Sequence, residues 1–312
     1  MSESESKSGG NLEKVLRAGH FALTGELGPP RGGDPEAVRE KAGHLAGNVD
    51  AVNITDNQTA VVRMASWAAS LIAKEAGVEA VYQMVCRDRN RLAMQADILG
   101  ASSLGIHNIL CLSGDHMVFG DHPGARGVFD VDSTQLIGIV KKMRDESLFQ
   151  GGAEINTPPR MFIGAAANPF AEPHKWRIHR LAKKVSAGAD FIQTQCVYDM
   201  DRFDEWMKQA VDMGLTEKAY ILAGITPLKN VGMARYMQSK VPGMVVPDSL
   251  VKRLMGVPWK QAAEEGIRIA IEQVDQLRET RGVAGIHLMA IGWEHRVAEI
   301  AERAGLLPRP VL

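Results

Sequence analysis

The chain has 312 residues, of which 45% are hydrophobic and 23% charged, and its formal net charge is −1. This length and balance predict a folded protein with a substantial core, built as one large α/β barrel or as two ordinary domains. The near-neutral charge argues against nucleic acid or an anionic membrane as a main partner. No run approaches the roughly 20 apolar residues of a membrane span.

Two further features concern the cellular compartment. Residues 1–10, MSESESKSGG, are polar and lack the apolar segment of a signal peptide, so they are predicted to form a disordered tail. Cys86, Cys111 and Cys196 stand far apart within apolar runs. They indicate buried thiols in a reducing compartment, with neither disulfides nor an iron–sulfur cluster on this chain, and no His, Cys and carboxylate cluster marks a metal. A cytoplasmic protein is expected.

Short apolar runs alternate with amphipathic segments along the rest of the chain. Predicted strands cover 21–27, 51–56, 80–86, 108–114, 160–167, 191–197, 219–225 and 285–291. Predicted helices cover 12–17, 35–46, 61–75, 90–100, 133–145, 173–187, 201–213, 229–238, 248–255, 259–281 and 293–304. A polar, Gly-rich segment at 115–127 follows the fourth strand.

The strands are near-continuous apolar runs, which is typical of a parallel sheet covered on its outer face. Eight such repeats in 312 residues fit a closed (β/α)8 TIM barrel, a single domain over residues 11–312. A doubly wound open sheet is the alternative, but it usually carries an early Gly-rich phosphate loop. The first strand here leads into Gly28-Pro29-Pro30 instead, and neither GxGxxG nor GxxxxGK[ST] occurs. The barrel is therefore predicted.

Glu26 is the one carboxylate in the stretch FALTGELGPPR at 21–31. Because proline cannot donate to a β-ladder, Pro29 and Pro30 end the first strand and leave Glu26 at its carboxyl end, where barrel enzymes carry their catalytic groups. The mostly apolar setting would raise the pKa of Glu26 and keep its carboxyl protonated near neutrality, as a general acid requires. A surface salt bridge at the strand end is the alternative interpretation.

Other polar side chains lie near the ends of the remaining strands. They are Thr55, Asp56, Asn57, Gln83, Ser113, Gly114, Asp115, Asn168, Gln195, Thr226, Trp293 and Glu294. Glu26 and Asp115, with amides and hydroxyls between them, suit a polar heterocycle such as a flavin or pterin ring. Lys183 and Lys184 fit either a phosphate site beside the rim or a solvated helix face. His287 lies within a strand run, like His107, and both are interpreted as core or barrel-interior residues.

These residues carry a resemblance to a known family. The chain resembles the bacterial methylenetetrahydrofolate reductases, which are flavin-dependent (β/α)8 barrels, from about residue 15 to residue 305. The matching motifs are Glu26 with Pro29-Pro30-Arg31, Thr55, Leu112-x-Gly114-Asp115, Lys183-Lys184-Val185-x-Ala187-Gly188-Ala189, Thr194-Gln195 and Gly224-Ile225-x-Pro227. Each motif alone is weak, whereas their order and spacing together are specific.

The resemblance implies hydride transfer from N5 of a bound flavin to 5,10-methylenetetrahydrofolate, which gives 5-methyltetrahydrofolate for one-carbon metabolism. Glu26 matches the general acid that assists opening of the imidazolidine ring, and Asp115 matches the residue that binds the pterin and tunes the flavin. The expected flavin contacts are Thr55, Gln83, Leu112, Ser113, Gly114, Asn168, Arg180, Lys183 and Lys184. The expected folate contacts are Gln195, Thr226 and Val231. FAD is favoured, and FMN is the alternative.

The chain departs from the family pattern at several positions. Ser113 replaces an Arg, Gln83 replaces a His, Ala167 or Asn168 replaces an aromatic residue after strand 5, and Val231 replaces an aromatic that stacks on folate. In these departures the sequence resembles the divergent reductases of anaerobic one-carbon (acetyl-CoA pathway) bacteria. An iron–sulfur partner protein can deliver electrons in that group, so the donor is predicted to be either NAD(P)H or such a partner.

Two other functions stay open at this stage. One is a folate-binding (β/α)8 methyltransferase that uses no flavin. The other is a non-catalytic barrel subunit of a one-carbon complex, which the departures would explain. A homo-oligomer is compatible with each of these functions.

Overall fold

The structure, a computed structural model, describes residues 6–241 and 243–312. Its strands are β1 (Ala22–Leu27), β2 (Ala51–Ile54), β3 (Ala80–Val85), β4 (Asn108–Leu112), β5 (Phe162–Ala167), β6 (Phe191–Cys196), β7 (Tyr220–Ile225) and β8 (Val283–Leu288). Each strand pairs in parallel with the next, and β8 pairs with β1. The predicted single-domain (β/α)8 barrel is therefore confirmed, and the open sheet is wrong.

Helices alternate with the strands and cover the outer face of the barrel. They are α1 (Asn11–Arg17), α2 (Glu36–Leu45), α3 (Ser66–Glu75), α4 (Arg91–Ser103), α5 (Ser133–Asp145), α6 (Arg177–Ala187), α7 (Met200–Asp212), α8 (Val231–Lys240), α9 (Asp248–Met255), α10 (Ala262–Glu279) and α11 (Val297–Arg303). The start of α5 is fixed by a capping box between Asp132 and Gln135. Among the described residues, no helix combines the length and apolarity that crossing a bilayer needs.

The barrel interior is apolar at its amino-terminal end. The rings of Phe162 and Phe191 stack there with centroids 5.2 Å apart, and apolar side chains of α1 pack against them. Gly164 is required beside this stack, because a Cβ at that position would lie 2.3 Å from a ring carbon of Phe191. These contacts close the base of the barrel and leave its other end open.

The predicted disordered tail, residues 1–10, differs from the structure where the structure describes it. Residues 1–5 lie outside the described residues. Residues 6–10 are held against the barrel because the buried carboxylate of Glu13 accepts hydrogen bonds from the backbone N–H groups of Lys7, Ser8 and Gly9. Lys7 also forms an ion pair with Asp190 at the amino-terminal end of β6. These tertiary bonds have no signal in a polar sequence.

Several predicted boundaries need correction, and the helices predicted over 173–187 and 293–304 begin only at Arg177 and Val297. The helix predicted over 61–75 begins only at Ser66, because residues 57–60 form a loop with three positive φ angles. The strand predicted over 285–291 is β8 at Val283–Leu288, and Gly292, with φ of 63°, turns the chain soon after it. Trp293 and Glu294 therefore lie beyond the strand, at the start of a short 3-10 helix, Glu294–Arg296. All three cysteines are free and buried, as predicted.

Candidate active site

A cavity of about 380 Å³ lies at the carboxyl ends of the strands and continues into the barrel. Eight of the predicted site residues line it: Glu26, Gln83, Leu112, Ser113, Asn168, Arg180, Lys184 and Gln195. Glu26 is the single acidic residue among the described residues that line this cavity. Catalytic groups of TIM barrels occupy this end of the fold, so the cavity is the candidate active site.

Glu26 is held inside the cavity mouth rather than in a surface salt bridge. It is the fifth residue of β1, and its side chain is 12% exposed. Its Oε2 lies 3.6 Å from Nε2 of His287, which belongs to the adjacent strand β8. Cys196 on β6 packs outside the cavity with the apolar side chains around α8 and α9. Burial, with the charge of Glu26 adding to it, raises the pKa of its thiol to about 12. The surroundings of Glu26 are more polar than the sequence predicts.

The floor of the cavity is formed by the buried polar side chains of Asn53, Gln193 and His287, and the fully buried Thr24 is bonded to them from below. Gln193 and Asn53 exchange two amide hydrogen bonds, of 2.6 and 3.1 Å. Gln193 Nε2 also donates to Thr24 Oγ1 over 3.2 Å, and that oxygen lies 3.0 Å from Nδ1 of His287. Since buried polar groups are costly unless they are paired, these bonds fix the orientation of each side chain.

The wall opposite Glu26 is cationic. Arg177, Arg180 and Lys184 line the cavity from α6, which packs on β5, and β5 lies four strands from β1 around the ring of eight. Lys184 Nζ donates to the carbonyl oxygen of Ala166 over 2.6 Å. Burial, followed by the charge of Arg180, lowers the pKa of Lys184. A bound anion such as a phosphate would relieve this repulsion.

Gln195 presents its amide N–H groups to the cavity. Its Oε1 accepts a hydrogen bond from the backbone N–H of Cys196 over 3.0 Å, which leaves Nε2 as the donor toward a ligand. Asn168 uses its Oδ1 to accept from the backbone N–H groups of Phe170 and Ala171. Gln83 lies across the cavity and is 8% exposed. Oriented amides of this kind suit a flat heterocycle with several acceptors.

Three predicted site residues lie at the rim but outside the cavity lining. Asp115 is exposed, and its carboxylate accepts a hydrogen bond from the backbone N–H of Thr59 over 3.1 Å. Gly114 has φ of 88°, and a Cβ there would lie 3.1 Å from the Cβ atoms of Arg87 and Val85, so glycine is required. Lys183 is exposed on the outer side of α6. The structure therefore does not bring Asp115 together with Glu26.

Three more predicted residues are buried near the mouth. Thr55 is 3% exposed, and its Oγ1 has no hydrogen-bond partner. Thr226 Oγ1 lies 3.0 Å from the sulfur of Cys196. Val231 is the first residue of α8 and packs with the apolar side chains around α8 and α9. Of these three residues, Thr55 is the one whose hydroxyl is available to form a hydrogen bond with a ligand.

The predicted site omits several residues that line the cavity, chiefly Asn53, Gln193 and Arg177. Side chains alternate along a strand, so Thr24 and Gln193 face the interior with Glu26 and Gln195, two residues further on. Reading each strand at this period of two identifies the polar floor from the sequence. Arg177 gives no comparable signal, because its place depends on how α6 packs over β5.

The chain is similar in sequence to proteins of known family. A family model for methylenetetrahydrofolate reductase matches residues 11–305. The chain belongs to this family. Family membership agrees with the resemblance seen in the sequence, and it applies to the whole barrel.

Individual relatives are distant. A probable methylenetetrahydrofolate reductase (NADPH) of Caenorhabditis elegans is 23% identical over 258 residues, which are 80% of this chain and 36% of the relative. The 5,10-methylenetetrahydrofolate reductase of Salmonella typhimurium is 21% identical over 239 residues, which are 76% of this chain and 74% of the relative. The chain spans only 36% to 38% of the length of three eukaryotic relatives.

A solved structure shares the fold. It is an uncharacterized protein from Clostridium thermocellum, described as binding two copies of 5-methyl-5,6,7,8-tetrahydrofolic acid. Its TM-score is 0.61 at 14% identity, over 95% of this chain and 98% of that chain. The likeness supports the barrel architecture.

Proposed function

We propose that this chain reduces 5,10-methylenetetrahydrofolate to 5-methyltetrahydrofolate with a bound flavin. The observation that carries the proposal is the placement of Glu26, the single acidic group lining a strand-end cavity in a member of the methylenetetrahydrofolate reductase family. The folate bound by the Clostridium thermocellum neighbour is the expected product, which supports the substrate class.

The residues present fit a flavin. Thr55 Oγ1, just outside the cavity lining, is a buried polar atom without a partner, and Gln83 and Asn168 line the cavity. These three would hold the ring, while Arg180 and Lys184 would hold the phosphate. With Arg177 the wall carries three cations, more than one phosphate needs, which supports FAD over FMN. Reduced flavin, when bound, supplies the hydride.

Glu26 moves the proton in the proposed reaction. Its carboxyl holds a proton and delivers it to the nitrogen that leaves the one-carbon unit when the imidazolidine ring opens. A protonated amine is the better leaving group, so the carboxyl must be a short distance from that nitrogen. Gln195 orients the folate by donating from Nε2, and the closed base of the barrel keeps bulk water to one side of the site.

Asp115 is proposed to bind the pterin ring, as the resemblance implies. In this structure its carboxylate is bonded to Thr59, so folate binding requires that bond to open and the side chain to turn inward. Thr226 and Val231 are proposed as outer folate contacts. Both lie outside the cavity lining, so they would act only after the same loops move.

The electron donor is proposed to be NAD(P)H, which the names of several relatives carry. An iron–sulfur partner is the competing donor, because the three cysteines are dispersed and buried. Mass spectrometry of native material that shows no co-purifying subunit, together with full NADH turnover by this chain alone, would eliminate the partner.

The test is an absorbance spectrum of the purified protein, followed by a folate assay. We expect flavin bands near ~370 and ~450 nm and conversion of methylenetetrahydrofolate to the methyl form. Extraction and chromatography then separate FAD from FMN. Folate binding without flavin would favour the methyltransferase, and flavin with no turnover from any donor would favour the non-catalytic subunit.

A further inference from the structure

A set of buried polar groups lies beneath Glu26. They form a continuous chain from Asn53 through Gln193, Thr24 and His287 to the Glu26 carboxyl. The first four are at most 3% exposed, so little of their polar surface reaches water. Their hydrogen bonds are therefore made largely with one another.

The hydroxyl of Thr24 determines which nitrogen of His287 carries a hydrogen. Gln193 Nε2 donates to Thr24 Oγ1, Nδ1 of His287 lies 3.0 Å from it, and the carbonyl oxygen of Ile286 lies 3.4 Å from it. A hydroxyl has one hydrogen and two lone pairs. All three contacts are satisfied together only if Thr24 donates to Ile286 and accepts from an N–H at Nδ1 of His287.

The other ring nitrogen, Nε2, then faces Glu26 with its lone pair. The approach of 3.6 Å is longer than a hydrogen bond, as is common for catalytic pairs before a ligand binds. If Glu26 were ionised, its carboxylate would repel the lone pair on Nε2 of His287. The two groups attract each other only when one proton is shared between them. The Cys196 thiol of β6, which is close enough to interact electrostatically with Glu26, is neutral at physiological pH because burial raises its pKa to about 12.

We propose that His287 is a positioning residue for Glu26, and that Thr24 holds its Nδ1–H so that the catalytic proton is kept between Nε2 and the carboxyl. This inference rests on the proposed folate reduction. The series of hydrogen-bonded side chains ends in the amides of Gln193 and Asn53. Because amides do not relay protons, the series orients His287 and does not conduct protons. When Glu26 protonates the leaving nitrogen, its carboxylate remains beside neutral His287, and water at the mouth returns the proton.

The first test uses the resting protein and needs no turnover. Nitrogen NMR of isotope-labelled histidine assigns His287 from the signal lost in His287→Gln or, if that variant does not fold, from cross-peaks to the Thr24 methyl group. We expect Nδ1 to be protonated in the wild type, and we expect Glu26→Gln to shift the Nε2 signal of His287. A wild-type Nε2–H tautomer, or an Nε2 signal indifferent to Glu26→Gln, would overturn the inference.

The second test separates the two half-reactions in Thr24→Val, with Thr24→Ser as the conservative variant. Thr24→Val should slow folate-dependent reoxidation by about 10- to 100-fold and move the pH at which this rate falls. Reduction by the donor and the KM for folate should stay unchanged, and Thr24→Ser should restore the rate. Ser70→Ala is the control, because it removes a buried hydroxyl that, unlike that of Thr24, has no partner.

The outcomes distinguish the two proposals. Equal losses in both half-reactions, or a pH profile no different from that of Ser70→Ala, would mean that Thr24 is merely structural and would overturn the positioning role. If the wild-type protein does not reduce methylenetetrahydrofolate at all, the proposed function fails. The NMR measurement still decides whether Nδ1–H of His287 is held toward Thr24.

Discussion

The carboxylate of Asp115 accepts a hydrogen bond from the backbone N–H of Thr59, over 3.1 Å, which ties the loop after β4 to the loop after β2. Thr59 has φ of 55°, a left-handed conformation that β-branched residues rarely adopt. Arg87 reinforces the link by donating to the carbonyl oxygens of both Asn57 and Asp115. Together these bonds hold Asp115 away from the cavity that Glu26 lines.

Two variants at Asp115 separate its charge from this link. Asp115→Asn keeps an oxygen that can accept from Thr59 but removes the charge, whereas Asp115→Ala removes both. If the negative charge of Asp115 contributes to folate binding or reduction, the folate-dependent rate of the asparagine variant should fall at least about tenfold. Its melting temperature should not change. The alanine variant should also melt earlier. Full activity in the asparagine variant would show that Asp115 is an anchor for Thr59.

Replacing Glu26 with glutamine tests the general acid. The side chain keeps its volume but loses its proton, so folate-dependent turnover should fall by about 100-fold or more. The flavin content and the rate of flavin reduction by the donor should be preserved, because Glu26 serves the chemistry more than the binding. Stopped-flow measurement of both half-reactions checks this, with exposed Glu40→Gln as the control. Undiminished folate turnover would rule out the mechanism proposed for Glu26.

Adjacent lysines on α6 provide a matched pair. Lys184 is turned into the cavity and has its pKa lowered by burial, whereas Lys183 is exposed. Lys184→Met should therefore weaken retention of a phosphate-bearing cofactor by about 10- to 100-fold, the value of a charged hydrogen bond. Lys183→Met should have little effect. The flavin-to-protein ratio after gel filtration measures both, and the reverse order would contradict the assignment.

Stability at low pH should depend on Glu13. Burial alone would raise its pKa, yet hydrogen bonds from Lys7, Ser8 and Gly9 lower it from 4.5 to about 2. A carboxyl with a lowered folded-state pKa stabilises the protein above pH 4.5, and this contribution, about 3 kcal/mol, is lost as the pH falls toward about 2. Urea unfolding should show Glu13→Gln strongly destabilised at neutral pH and nearly equal to the wild type near pH 2. Parallel pH curves would contradict this role.

Much of the barrel could be predicted because its signals are local. Apolar runs of strand length recur through the chain, and Pro29 with Pro30 fixes where β1 ends, which places Glu26 at the mouth. The period of two along β1, β2 and β6 also encodes the polar floor, although a reading confined to strand ends misses Asn53 and Gln193.

The remaining features depend on contacts between distant segments. Asp115 is bonded outside the cavity to a loop in which Thr59 and Ala60 have positive φ angles, a conformation that these two residue types do not predict. Residues 6–10 are ordered by Glu13 and by the pair between Lys7 and Asp190, which lie far apart in sequence. Such positions follow from tertiary packing, so composition alone gives the opposite expectation.

Helix α1 and the stacked rings of Phe162 and Phe191 close one end of the barrel, so in the part of the chain that the structure describes the cavity opens at the carboxyl ends of the strands. A small-molecule reductant and a folate would then bind in this cavity one after the other, because neither can enter through the closed end of the barrel. Each turnover would then consist of two half-reactions, one for each substrate. Double-reciprocal plots of initial velocity, measured at several fixed concentrations of the second substrate, would be parallel lines.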